Sequence, residues 1–220
     1  SEEDWNETSS LTRNPYYYSK TMAERAAWKF VESNSPAWDL VVVNPYMTVG
    51  PQLNPGLNQS NAIFVNIATG KMPAVMPLNF GFVDVRDIAA VHIKAMHKKD
   101  AAGRYLCVAE KRSMRQVVDL MRSEDFGTDK PPTRSWEGWF GRKLAYLITY
   151  TTPKGTGTYL RTNFGRSADI STEKVRRELG MTFRPVDETL RETFCKFESN
   201  ARRLNLIEPG HSGSVTPGKS

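Results

Sequence analysis

Two cysteines in 220 residues, Cys107 and Cys195, are too few and too far apart for the C-x-x-C or Cys/His spacing that a metal or redox site needs. Both are expected to be reduced and packed. Histidine is as scarce: there are three, and His92 and His97 miss the i, i+4 spacing that sets two imidazoles on one helix face, so no metal is expected. Long apolar runs are missing too, and none approaches the roughly 20 residues of a membrane span. The opening "SEEDW" is acidic where a signal peptide is basic, so a cytoplasmic location is the expectation, and the sequons at Asn6 and Asn58 are expected to be chance matches. No internal repeat is visible.

What is present is an ordinary globular composition, 39% hydrophobic and 25% charged, long enough for one sizeable core. The formal charge of +6 is unevenly placed. Residues 1–139 carry 16 basic and 16 acidic side chains, whereas 140–203 carry 13 basic against 7 acidic. These basic residues are interleaved with Asp and Glu rather than blocked, and no recognition signature accompanies them, so no nucleic-acid partner is expected.

Periodicity organises the chain into alternating elements. "YSKTMAERAAWKFV" has its apolar residues spaced for one helix face, and the β-branched run "DLVVVNP" reads as a strand buried on both faces. A Gly/Pro/Asn-rich loop over 50–58 leads to a helix near 60–69. "FGFVDV" and "RYLCVAE" then read as strands, each followed by a helix, "RDIAAVHIKAMHK" and "SMRQVVDLMRS". The alternation predicts an α/β architecture with a parallel sheet. Beyond Asp125 the pattern becomes helical and aromatic-rich: "WEGWFGRKLAYLITY" suits an amphipathic helix, and further helices are expected at 171–179, opened by a Ser171/Thr172 cap, and at 187–204. From Glu208 the chain is polar, rich in Gly, Pro and Ser, and expected to be disordered.

Two nucleotide motifs fail when weighed. Gly213-x-x-x-x-Gly218-Lys219-Ser220 matches a phosphate loop, but the motif needs a preceding strand and a following helix with aligned N–H groups, and in this polar, Gly/Pro/Ser-rich stretch no phosphate site is expected. Gly155-x-Gly157 lacks the third glycine of a dinucleotide fingerprint, Leu160 standing in its place, so a flexible turn is expected there.

The residues that carry chemistry lie in "NPYYYSK". Of its three tyrosines only Tyr16 has a lysine four positions on, Lys20, and i, i+4 partners share a helix face. An ammonium beside a phenol favours the phenolate, which suits the phenol to proton exchange with a substrate oxygen. The bland alternative is a helix-start aromatic beside a solvated lysine. Tyr17 and Tyr18 are expected to be packing residues.

"YYYSKTMAERAAWKF", "DLVVVNPYMTVGP" and "GFVDVRDIAAVHIKAM", together with "ADISTEKVRRELGMTFRPVDETLRETF", resemble in order and spacing the later half of the extended short-chain dehydrogenases/reductases. The likeness is greatest to the dihydroflavonol-reductase and cinnamoyl-CoA-reductase group and runs from about Asp4 to Ile207. It implies a Rossmann-type half over 1–125, carrying the Tyr/Lys helix, a mostly helical substrate-binding region over 126–207, and a disordered tail over 208–220. It also implies that Tyr16 is the general acid/base, and that Lys20 assists it and holds the nicotinamide ribose. Pro45, Tyr46, Met47 and Thr48 would lie against the nicotinamide, with Ser60 as a polar cofactor contact. Asp84, Arg86 and Asp87 match a segment read as structural. The implied cofactor is NADP, or NAD, and the implied substrate a small carbonyl or alcohol. The Gly-rich first half of the family and its catalytic serine find no counterpart; Ser9 and Ser10 match the stretch after that serine. The chain is therefore expected to be a fragment of a longer reductase that does not bind the dinucleotide tightly alone. A relative acting on nucleotide-sugars or hydroxysteroids, and a non-catalytic remnant that only binds, are the alternatives.

Overall fold

The computed structural model describes residues 1–53, 59–124, 131–152 and 154–203. Residues 54–58 of the expected loop 50–58, the start of the Pro-rich stretch, the sequon at Asn58 and the tail with its phosphate-loop match lie outside them.

Helix α1, Pro15–Asn34, begins earlier than its apolar spacing suggests, because Pro15 has its φ preset for the first helical turn and no N–H to leave unsatisfied. Asn14 precedes it in the left-handed region at φ 52°, and the helix ends on Ser35 at φ 43°, whose N–H donates to the Val31 carbonyl. No residue of α1 is buried. It is held instead by polar contacts at its middle: the Arg104 guanidinium reaches Glu24 at 2.7 Å, with both side chains largely shielded from solvent.

Strand β1, Val41–Pro45, runs parallel to β4, Gly103–Cys107, with Val43 opposite Tyr105. The expectation that β1 is buried on both faces is corrected: Val41 to Asn44 are only half-buried. Burial of a parallel strand requires neighbours on both edges and helices on both faces, and among the described residues β4 is the only strand beside it. A second sheet has the order β2 (Met47–Val49), β3 (Asn79–Asp84), β5 (Glu110–Ser113). β2 and β3 are parallel, as the alternation predicts, while β5 returns antiparallel to β3 directly after β4.

Helix α2, Gln59–Ala68, α4, Met114–Ser123, and α8, Val186–Arg203, pack on this second sheet. Phe64, Phe82 and Phe194 meet at its centre, with ring centroids 6.1 and 5.2 Å from Phe64. α4 starts on a capping box in which Ser113 and Gln116 satisfy each other's backbone N–H groups. A second core cluster joins α3, Val85–His97, and α7, Glu173–Leu179, to β4 through Val91, Tyr105, Cys107 and Val175. The Asp84-Arg86-Asp87 segment has a structural part here. Asp84, 1% exposed, caps α3 by accepting from the Arg86 N–H, pairs with the Arg86 side chain at 2.7 Å and accepts from the Thr189 hydroxyl at 2.8 Å. Asp87 accepts from the Arg184 backbone N–H and pairs with its guanidinium.

Helix α5, Trp139–Ile148, forms as expected, and α6, Lys154–Asn163, was not foreseen. The flexible turn read at Gly155-x-Gly157 is thus corrected to a helix. Gly157 is buried, and a Cβ there would stand 2.3 Å from the Thr149 carbonyl oxygen, so glycine is needed for close packing rather than for a bend. Cys107 is buried as expected, but Cys195 is exposed, because α8 turns that position away from the sheet contacted by Phe194 and Leu190. Among the described residues no three His, Cys, Asp or Glu side chains gather in a way that could hold a metal, and no helix is long and apolar enough to cross a membrane.

Candidate active site

The first turn of α1 carries Tyr16 on an exposed position, 57% accessible, and Lys20 follows one turn later with its Nζ 5.6 Å from the Tyr16 ring centroid. The i, i+4 spacing thus does what the helix period requires. Tyr16 opens into a cleft of about 560 Å³ that is also lined by Pro45, Tyr46, Met47 and Ser60. Five of the seven residues singled out from the sequence therefore share one cavity, although they come from four separate elements, α1, β1, β2 and α2, and the link between the two strands. Lys20 sits beside Tyr16 without lining the cleft. Thr48 is outside it, in β2 opposite Val83. Ser9 and Ser10 make local hydrogen bonds, to Asn6 and within the turn to Arg13, and neither lines the cleft.

Position in the fold explains the convergence. Pro45 ends β1 and Met47 opens β2, so the chain passes from one sheet to the other at Tyr46, whose N–H donates to the Cys107 carbonyl at 3.1 Å. Ligands of open α/β sheets bind outside the carboxyl ends of the strands, at such crossings.

Tyr17 is the packing residue expected, but it does more than fill space. Its ring lies edge-on to Tyr16, with centroids 5.9 Å apart, and meets Tyr159 of α6 at 6.1 Å. Burial, followed by the neighbouring phenols of Tyr159 and Tyr46, pushes its pKa well above that of a free tyrosine. Burial raises Tyr46 and Tyr159 in the same direction. These three phenols remain neutral at physiological pH and can only donate or accept hydrogen bonds. A second tie, from the Asn14 side-chain amide to the Thr162 hydroxyl at 3.1 Å, joins the start of α1 to the end of α6. Helix α6 thus walls the cleft with Tyr159, Gly155 and Thr156 and braces the segment that carries Tyr16. These contributions were missed with the helix itself. The available signal was Leu160 and Phe164, four apart, which pack against the main core.

Comparison with known proteins shows what the chain is similar to. The model of the NAD dependent epimerase/dehydratase family matches residues 1–108. A cinnamoyl-CoA reductase of Medicago truncatula is 41% identical over 107 residues, 49% of this chain and 32% of the relative. The NADPH-dependent methylglyoxal reductase of Saccharomyces cerevisiae is 30% identical over 209 residues, 88% of this chain and 54% of the relative. Among solved structures, Gre2 from Candida albicans in complex with NADPH superposes with a TM-score of 0.68 at 27% identity, covering 90% of this chain and 57% of that one. The chain spans from about a third to little more than half of the length of these proteins.

Proposed function

Because the chain is a member of the extended short-chain dehydrogenase/reductase superfamily, akin to its cinnamoyl-CoA and dihydroflavonol reductase group, we propose that it serves NADPH-dependent reduction of a small carbonyl compound, with Tyr16 as the proton donor. The observation that carries this reading is the cleft that Tyr16 lines together with Pro45, Tyr46, Met47 and Ser60, with the Lys20 Nζ 5.6 Å from the Tyr16 ring centroid. Two relatives supply the cofactor: the methylglyoxal reductase is NADPH-dependent by name, and the Candida albicans structure is a complex with NADPH.

The donor set fits the nicotinamide end of such a cofactor. Within the cleft Ser60 offers a hydroxyl and Pro45 to Met47 a wall against which a flat ring can lie, while Lys20, beside Tyr16 and outside the cleft lining, would supply its ammonium to the ribose from the edge. A bound nicotinamide would supply the hydride there. The chain's own share is to orient and to move a proton. Tyr16 donates its hydroxyl proton to the carbonyl oxygen, Lys20 keeps positive charge beside the phenol, and the neutral phenols of Tyr17 and Tyr159 hold the helix start and the cleft wall in place. General acid catalysis of this kind contributes roughly 10²- to 10⁴-fold.

The test is a chimera in which the N-terminal half of the Saccharomyces cerevisiae relative precedes residue 1, assayed for aldehyde-dependent loss of NADPH absorbance. Tyr16→Phe is expected to reduce kcat by about 10²- to 10⁴-fold with cofactor affinity nearly unchanged, and Lys20→Ala to weaken both. Tyr18→Phe should retain most of the rate. Loss of turnover in Tyr18→Phe with retention in Tyr16→Phe would refute the assignment.

A further inference from the structure

Tyr46 also lines a second cleft, of about 420 Å³, on the antiparallel pair β3 and β5. Its floor is apolar: Phe80 and Val108 are 3% and 6% exposed, and Gly81 brings the backbone against the Tyr46 ring, since a Cβ there would stand 3.0 Å from it. Its rim is cationic. Lys111 and Arg166 line it and no acidic side chain does. The Arg166 guanidinium has no acidic partner among the described residues. Its backbone, by contrast, is pinned: Gly165, at φ 67°, donates to the Pro77 carbonyl at 2.7 Å, and the Asn79 amide donates to the Arg166 carbonyl at 3.2 Å.

A guanidinium held at the mouth of an apolar-floored recess, with an ammonium across from it, is matched by an oxyanion. Arg offers a planar fork for two oxygens and Lys a point charge, and the low-dielectric floor strengthens both. Lys111 does have a carboxylate at 3.2 Å, from Asp169, but that side chain is fully exposed, and such surface pairs contribute little. An arriving anion can displace it without loss.

We propose that this second cleft binds the carboxylate or phosphate group of a small molecule, with Arg166 and Lys111 as its partners. The site adjoins the Tyr16 cleft through Tyr46 but draws its charged groups from other elements, and its occupancy requires no turnover. The experiment is titration of the ¹⁵N-labelled chain with citrate and with inorganic pyrophosphate, at ionic strength matched with sodium chloride, followed by NMR. Saturable shifts are expected at the amides of Gly81, Lys111, Arg166 and Ser167, and the probe that binds more tightly identifies the group. Arg166→Gln and Lys111→Gln, both on exposed or half-exposed side chains that leave the core intact, should each weaken binding about tenfold, as loss of a charge-assisted contact does. Asp169→Asn should bind at least as tightly as the parent. Absence of saturable shifts, shifts spread over the basic surface of 140–203, affinity unaffected by Arg166→Gln, or weakening by Asp169→Asn would each overturn the proposal.

Discussion

Replacing Asp84 by alanine tests the junction that fixes β3, α3 and α8 together. Three losses add. The N-cap of α3 is removed, at about 1 kcal/mol. The Thr189 hydroxyl, 1% exposed and bonded to Asp84 at 2.8 Å, is left buried without its acceptor, at about 1–3 kcal/mol. The ion pair with Arg86 adds little, roughly 0–1 kcal/mol, because Arg86 is 37% exposed and keeps its second partner Glu192 at 2.7 Å. The total is roughly 3 kcal/mol, which for a chain of this size lowers Tm by about 6–12 °C. Asp84→Asn retains a capping oxygen and an acceptor for Thr189, so it should lose only about 1 kcal/mol. The pH dependence then has a definite sign. Burial raises the Asp84 pKa, but the hydrogen bonds from the Arg86 side chain and backbone and from Thr189, with the Arg86 charge, outweigh it and hold the carboxyl below its usual value. A carboxyl depressed on folding stabilises at pH above its unfolded value of about 4, and that stability is lost as pH falls through the lower folded value. Thermal unfolding followed by circular dichroism should therefore show a constant gap between wild type and Asp84→Asn near neutrality that narrows below about pH 4. An Asp84→Ala variant melting within about 2 °C of wild type, or a gap that widens on acidification, would refute the reasoning.

Other expectations follow from particular contacts. Native protein should react at one cysteine with a thiol reagent near pH 8, because Cys195 is exposed while burial pushes the Cys107 thiol up to about 12; both should react in urea, and mass spectrometry of the labelled peptides reads the result. Gly157→Val should displace α6 from Thr149 and destabilise the chain by about 1–3 kcal/mol, whereas Gly155→Ala, where an added Cβ meets nothing within 4 Å, should be neutral or slightly stabilising in urea denaturation. Tyr17→Phe keeps the ring that packs against Tyr16 and Tyr159, so it should change stability by less than about 1 kcal/mol and leave turnover in the chimera nearly intact; urea titration and the chimera assay check the two effects.

How much was legible in the sequence differs from element to element. Local rules were sufficient where the cause was local: the i, i+4 spacing placed Lys20 against Tyr16, the apolar period marked α3 and α4, and a β-branched run marked β1. The resemblance to a reductase family added which of these residues to gather, and Tyr16, Pro45, Tyr46, Met47 and Ser60 do line one cleft. Helix α6 was hidden because glycine disfavours a helix when only its intrinsic propensity is considered; it forms because Gly157 lets it lie against the Thr149 carbonyl and because Leu160 and Phe164 reach the core. The neutral tyrosine trio and the cationic second cleft belong to the same class of fact. Tyr17 and Tyr159, or Lys111 and Arg166, lie far apart along the chain, and no period in the sequence records their approach. Spacing along a helix or strand is set by backbone geometry that each residue carries with it, so the sequence by itself determined the strongly periodic elements and the Tyr/Lys face, though not α6. Which elements meet is set by burial of their apolar faces against one another, and only the tertiary structure could decide that.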